Sequence, residues 1–298
     1  MKRVWGDEMS TKNFLNDFSN GSEKSHHPVD EVLGIIQRLR GGEADRMSWK
    51  DLCEKINYLM TGLVLPGHEG ANSNGGIYRA RRITGKPFQF VKDLGFRPPK
   101  DCNDYGRCHS PGKPAFYGSL NLMAMLAEVR AEKGDLYQVI EANFLPGNNL
   151  RITEIGQITH YIRWGHTVFH NSENKRFLDE ILHGRDNPSE RQKYWMLMDA
   201  FISECFWSRD YDARLYRITS AVCNLLFEGG SDIIVYPSVA FGGGLNVAIK
   251  PEVFSKNMET KNCALMRVTE NLGFNIYSFI IEKECEKIDK GQFIWGSK

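Results

Sequence analysis

The run Ile77-Tyr78-Arg79-Ala80-Arg81 and the later run Ala115-Phe116-Tyr117-Gly118-Ser119-Leu120-Asn121-Leu122-Met123-Ala124-Met125-Leu126-Ala127-Glu128-Val129-Arg130 decide how this chain folds. The first reads as a strand, short, aromatic and basic with apolar residues between. The second begins as a strand through Phe116 and Tyr117 and then changes period: Leu120, Met123, Ala124 and Ala127 share one helical face, and Glu128 falls at its edge. Between the two lies Lys86 to Pro114, dense in Gly, Pro, Asp and Asn, including Gly106-Arg107 and Gly112. A loop of that length in a compact domain is uncommon unless it has a task. The order is therefore strand, long loop, strand, helix, with Arg79, Arg107, Tyr117 and Glu128 as its prominent polar groups.

Towards the N-terminus, residues 1–27 are polar with no sustained period and read as a flexible arm. Pro28 is placed as a first-turn proline. Val29, Val32, Leu33, Ile35, Ile36 and Leu39 follow at helical spacing until Gly41-Gly42. Ser48 with Asp51 makes a capping-box variant ahead of Leu52, Ile56, Leu59, Met60 and Leu63, a second amphipathic helix. The Gly/Asn-rich segment Pro66–Gly76 marks a boundary, giving an arm plus helical extension over 1–72 and a main domain over 73–298.

Towards the C-terminus, strands are expected at Leu136–Phe144 and Leu150–Ile155, and core-facing helices at Ser189–Phe206 and Ala213–Phe227. Further strands are expected at Asp232–Tyr236, Leu245–Lys250, Cys263–Val268 and Asn275–Ile281, with Glu282–Lys290 as a solvated element. Helices and strands mix without a regular βαβ alternation, so the fold class is α+β, with a mixed or antiparallel sheet at its core.

The 298 residues suffice for a sizeable core without disulfides. Lys plus Arg number 38 against 37 acidic residues, so neither nucleic acid nor an anionic membrane surface is an expected partner. Seven irregularly spaced cysteines argue for a reducing compartment, the cytoplasm by default. Neither a signal peptide nor a membrane span is recognisable. The phosphate loop, the dinucleotide-binding glycine fingerprint, the zincin motif and the nucleophile elbow are all absent from the sequence. Cys102, Cys108 and His109 form no Cys-x-x-Cys pair and fall short of four ligands, so no metal is expected. Taken alone, Glu128 reads as a solvated helix residue, Tyr117 as a core tyrosine and Ser238 as a turn or cap serine.

Taken together and in order, several motifs resemble the RES domain, a family named for arginine, glutamate and serine positions that includes NAD-degrading bacterial toxins. They are Tyr78-Arg79 on the early strand, Gly106-Arg107 to Gly112, Phe116-Tyr117-x-Ser119 leading into Ala127-Glu128, and Tyr236-Pro237-Ser238 before Gly244-x-Asn246. The resemblance covers about Ile77 to Lys250. His109 departs from it, since many relatives carry asparagine there.

The resemblance implies a fold similar to ADP-ribosyltransferase toxins, with NAD as substrate and cleavage of the nicotinamide–ribose bond by phosphate or water. Phosphate is thus a candidate co-substrate. Carried over residue by residue, the catalytic set is Arg79, Tyr117, Glu128 and Ser238, with Tyr78, Arg107 and Asn246 binding substrate. Arg79 has Arg81 and Arg107 as rivals and is favoured because it follows the aromatic residue of the first strand. Transfer of ADP-ribose to a macromolecule and a non-catalytic binding module are the two alternatives. A toxin role further implies a neutralising antitoxin protein as partner, and self-association is left open.

Overall fold

The computed structural model describes residues 16–17, 26–70, 75–166, 178–179, 181–183, 186–208 and 213–296. Of the arm expected over residues 1–27, only 16–17 and 26–27 fall among these. The strands are β1 (Asn16–Asp17), β2 (Val64–Leu65), β3 (Gly67–Gly70), β4 (Ile77–Arg82), β5 (Phe116–Ser119), β6 (Leu136–Phe144), β7 (Leu150–Glu154), β8 (Ile233–Pro237), β9 (Leu245–Ile249), β10 (Met258–Asn271), β11 (Tyr277–Asp289) and β12 (Gln292–Trp295). The longer helices are α1 (Val29–Arg38), α2 (Trp49–Met60), α3 (Leu122–Glu128), α4 (Gln157–Trp164), α5 (Glu190–Trp207), α6 (Ala213–Glu228) and α7 (Pro251–Asn257).

Ten strands form one sheet in the order β12-β11-β10-β6-β4-β5-β9-β8-β7-β3. Of its neighbouring pairs, β7 and β8 run parallel and the rest antiparallel. The chain is α+β, as its sequence pattern requires.

The pleat divides the core. On β8, Ile234 and Tyr236 join one cluster while Ile233 and Val235 join another, so both faces of the central strands are covered and the run reads as continuously apolar. The first cluster contains Val32 and Leu39 of the α1 region, Leu52, Ile56 and Leu59 of α2, Tyr194 and Phe206 of α5, and Ile218 and Val222 of α6. The second places Val253 and Phe254 of α7 and Phe293 of β12 against Phe116, Ile140 and Val247. A third gathers Met125 and Leu126 of α3 with Tyr137, Val139 and Val268.

The N-terminal helices thus share a core with α5 and α6. Residue 72 falls between β3 and β4, two strands of the one sheet. Ser48 caps α2 by accepting from the Asp51 amide at 3.1 Å, as the sequence indicates. At the other end of α2, Tyr194 Oη meets an orphan carbonyl of the last turn, donating to Leu59 O at 2.6 Å, and Trp195 Nε1 donates to Gly62 O, just past the helix, at 2.9 Å. Gly41-Gly42 does not stop the chain's winding. A wide turn over Leu39–Glu43, with Gly42 at φ 103°, redirects it into the short helix Ala44–Arg46.

The extended runs read at Cys263–Val268 and Asn275–Ile281 belong to one long hairpin, β10–β11, and Glu282–Asp289 continues β11. Asn275 lies in the turn, not in a strand. All seven cysteines are free thiols. Among the described residues no helix is long and apolar enough to cross a membrane.

Candidate active site

Helix α3 is only seven residues long, and its position is set at both ends. The Asn121 side chain accepts from the amides of Met123 and Ala124 at 2.8 and 3.2 Å, fixing the start. Its buried face, Ala124 to Ala127, packs against the sheet and leaves Glu128 exposed at the last helical position. The loop after β8 reaches this point because Gly244 has no side chain: a Cβ there would come within 3.0 Å of Ala124 Cβ and 2.9 Å of Phe241 Cδ1.

The close approach builds a bonded cluster. Ser238 Oγ donates to Glu128 Oε1 at 2.7 Å and accepts from the Phe241 amide at 3.0 Å. Asn246 Nδ2 donates to the same oxygen at 2.6 Å. Ser119 Oγ, across the β5–β9 pair, donates to Asn246 Oδ1 at 2.6 Å, which fixes the orientation of the amide. Ser119, Ser238 and Asn246 are all buried. Oε1 is therefore held by two donors, and Oε2 has no partner among the described residues.

The arginines are held differently. Strands β4 and β5 meet in register only at Tyr78 opposite Ser119, and beyond that pair Arg79 Nη1 donates to Tyr117 O at 2.7 Å. Its guanidinium carbon lies 5.1 Å from the centre of the Phe116 ring, and its Nε is shut from solvent without a partner among the described residues. Burial, reinforced by Arg81, lowers the Arg79 pKa to about 10, which leaves it a cation at neutral pH. Arg107 anchors its loop to the end of α5, donating from Nη1 to Phe206 O and lying over the Tyr216 ring. Arg81, the third candidate, lies 6.0 Å over the Phe88 ring and does not line the cavity described below.

Tyr117 is committed on its hydroxyl side. The Cys108 amide donates to its oxygen at 2.8 Å, and His109 Nδ1 lies 2.8 Å from the same atom. Burial raises the Tyr117 pKa well above its usual value and lowers that of His109, so the pair is a neutral phenol and a neutral imidazole. With its oxygen accepting from Cys108, the phenol gives its proton to Nδ1. The imidazole proton then sits on Nε2, which faces Asp104 Oδ1 at 3.3 Å. His109 thus ties the loop to β5.

Cys102, Asp104 and His109 bring one ligand atom each within 4.8 Å of one another. Arg97 already pairs with Asp104 at 2.7 Å and Cys102 Sγ points at Ser110 O. That guanidinium opposes a cation there, and three ligands are one short of a closed structural zinc site.

A cavity of about 840 Å³ joins these groups. Tyr78, Arg79, Arg107, Tyr117, Glu128 and Asn246 line it, all residues singled out from sequence, while Ser238 stands behind Glu128 as its hydrogen-bond donor. Sequence reasoning did not single out Tyr216, Tyr236, Phe274 and Asn275, which line it too. Ser119 and Tyr236 lie inside quoted motifs and were within reach; Tyr216, Phe274 and Asn275 have no local signal that points to a cavity.

Residues 77–265 match the RES domain. The chain belongs to the RES domain family. The match spans β4 through part of β10 and so contains Arg79, Arg107, Tyr117, Glu128, Ser238 and Asn246. The RES family is associated with NAD-related toxin activity, which makes this chain in general terms an NAD-acting enzyme. Comparison with curated proteins gives no match. Helices α1 and α2 precede the RES segment, and the tip of the β10–β11 hairpin follows it.

Proposed function

We propose that the cavity binds NAD and that the protein breaks its nicotinamide–ribose bond, with phosphate or water as acceptor. The observation that carries this reading is Glu128: a carboxylate fixed through one oxygen by Ser238 and Asn246, at a cavity that two arginines also line. Nicotinamide is bound as a cation and leaves neutral, so it needs no general acid. Positive charge develops on the ribose instead, in a transition state like that of glycoside hydrolysis. Glu128 stabilises that charge and orients a ribose hydroxyl or the incoming nucleophile.

Arg79 and Arg107, both lining the cavity, attract the dinucleotide phosphates or the attacking phosphate. The rings of Tyr117 and Tyr78 form walls for the nicotinamide, Asn246 and Ser238 hold the carboxylate, and no step calls on a metal. NAD loss would make the protein toxic to a cell that produces it in its cytoplasm unless a partner protein, an antitoxin, covers the cavity.

The test is product analysis of purified protein incubated with NAD, with and without phosphate. Free ADP-ribose identifies hydrolysis, ADP-ribose 1-phosphate identifies phosphorolysis, and label on a protein identifies transfer. NAD that survives every condition overturns the reading.

A further inference from the structure

The tip of the β10–β11 hairpin carries a feature the fold does not account for. Gly273, Phe274 and Asn275 all adopt left-handed backbone, at φ 76°, 52° and 62°. For phenylalanine that conformation costs about 1 kcal/mol or more. The tip is nonetheless well bonded: Leu272 N donates to Ile276 O at 3.0 Å, Ile276 N to Gly273 O at 2.9 Å, and Gly273 N to Asn271 Oδ1 at 3.0 Å. What this holds out is Phe274, 96% exposed, the most exposed of the large apolar side chains among the described residues. Leaving such a ring in water forgoes about 2 kcal/mol that burial would return. Yet Phe274 and Asn275 both line the cavity that contains Glu128.

We propose that Phe274 is a substrate-binding residue, whose ring stacks on the adenine base of the dinucleotide at the cavity mouth. The inference rests on the NAD reading above. It follows from the polarity of the cavity, since Ser119, Asn246 and Ser238 are buried around Glu128 while Phe274 stands in solvent. The ribose that loses nicotinamide must lie at Glu128, so the far half of the molecule extends outwards. Its planar end then meets a planar side chain, a sequence-tolerant contact typical of base recognition. Asn275 beside it offers an amide for the polar edge of the base.

The experiment measures binding by calorimetry in a Glu128→Gln background, which spares the ligand from turnover, using NAD and nicotinamide mononucleotide, which lacks the adenylate half. Phe274→Ala is expected to weaken NAD binding about tenfold and to leave the mononucleotide unaffected, with Phe274→Trp restoring NAD affinity and Phe274→Leu failing to do so. Equal NAD affinity with and without the ring overturns the inference while the NAD reading stands. So does Phe274→Leu binding like the parent, or equal loss of both ligands. A parent protein that binds no NAD overturns both.

Discussion

Two carboxylates, Glu128 and Asp199, are held in the same way and face opposite surroundings. Each takes two hydrogen bonds on a single oxygen. Glu128 Oε1 accepts from Ser238 and Asn246, and Asp199 Oδ2 accepts from the Thr159 amide at 2.7 Å and the Thr159 hydroxyl at 2.6 Å. Glu128 lines the cavity and its second oxygen has no partner among the described residues, whereas Asp199 Oδ1 is sealed from solvent with no hydrogen bond of ordinary geometry. Asp199 has a structural duty that explains its place. The N-cap of α4 is Gly156, at φ 79°, where a Cβ would come within 2.6 Å of Ser203 Oγ. With no side chain at its own N-cap, α4 takes its cap from α5. Similar bonds at an open cavity and in a closed core leave one carboxylate accessible and make the other a cap.

The contrast breaks most directly at Glu128. Glu128→Gln keeps the size and one acceptor oxygen but removes the charge, and NAD turnover is expected to fall about a thousandfold. The melting temperature should stay close to that of the parent, because the side chain is exposed. A loss of only a few-fold would return Glu128 to the solvated-helix reading.

Asp199 should show the converse, and in its pH dependence. Burial raises its pKa to about 6, against the pull of Thr159 and the Ile158 and Gly156 amides. The unfolded chain releases this proton near pH 3.9. Between about pH 4 and 6 the folded state therefore binds more protons than the unfolded one, and stability falls as pH rises through that window. Fully ionised, the group costs about 3 kcal/mol relative to its protonated form. Asp199→Asn cannot ionise. Its stability relative to the parent, measured by urea denaturation, should climb by about that amount between pH 4 and 7 and level off above. A constant difference across the range would mean that Asp199 ionises as it does in the unfolded chain.

The sequence made one carboxylate legible and not the other, for reasons of range. Glu128 sits in a local order of motifs, Phe116-Tyr117-x-Ser119 followed by a helical face, and its partners fall in a second motif, Tyr236-Pro237-Ser238 to Asn246. Asp199 lies between the apolar helix positions Met198 and Phe201, and nothing local marks it as a buried cap. Its burial is decided by Gly156, which is distant in sequence, and by the packing of α4 on α5. The strands and long helices were legible because period 2 and period 3.6 are local properties. That the apolar faces of α1 and α2 need a partner was legible as well; that α5 and α6 supply it was not, because helical spacing does not name the element that covers a face. Phe274 was hidden too, since the strand expected from Asn275 leaves no sign of the turn there or of what it overhangs.

Tyr117 tests where the line between the two carboxylates runs, since it lines the cavity with Glu128 but is bonded on its polar atom like Asp199. Its oxygen accepts from the Cys108 amide and meets His109, which leaves the hydroxyl little capacity for substrate. Tyr117→Phe keeps the ring as a wall and strands the Cys108 amide, a loss of about 1–2 kcal/mol in stability. Turnover at saturating NAD, at a temperature where the variant remains folded, should fall by no more than a few-fold. A thousandfold loss without loss of stability would move the hydroxyl to the side of Glu128. The Asp104–His109–Tyr117 chain would then have to deliver a proton to the cavity, and the pH profile of turnover would carry the titration of His109, whose pKa burial sets below its ordinary value.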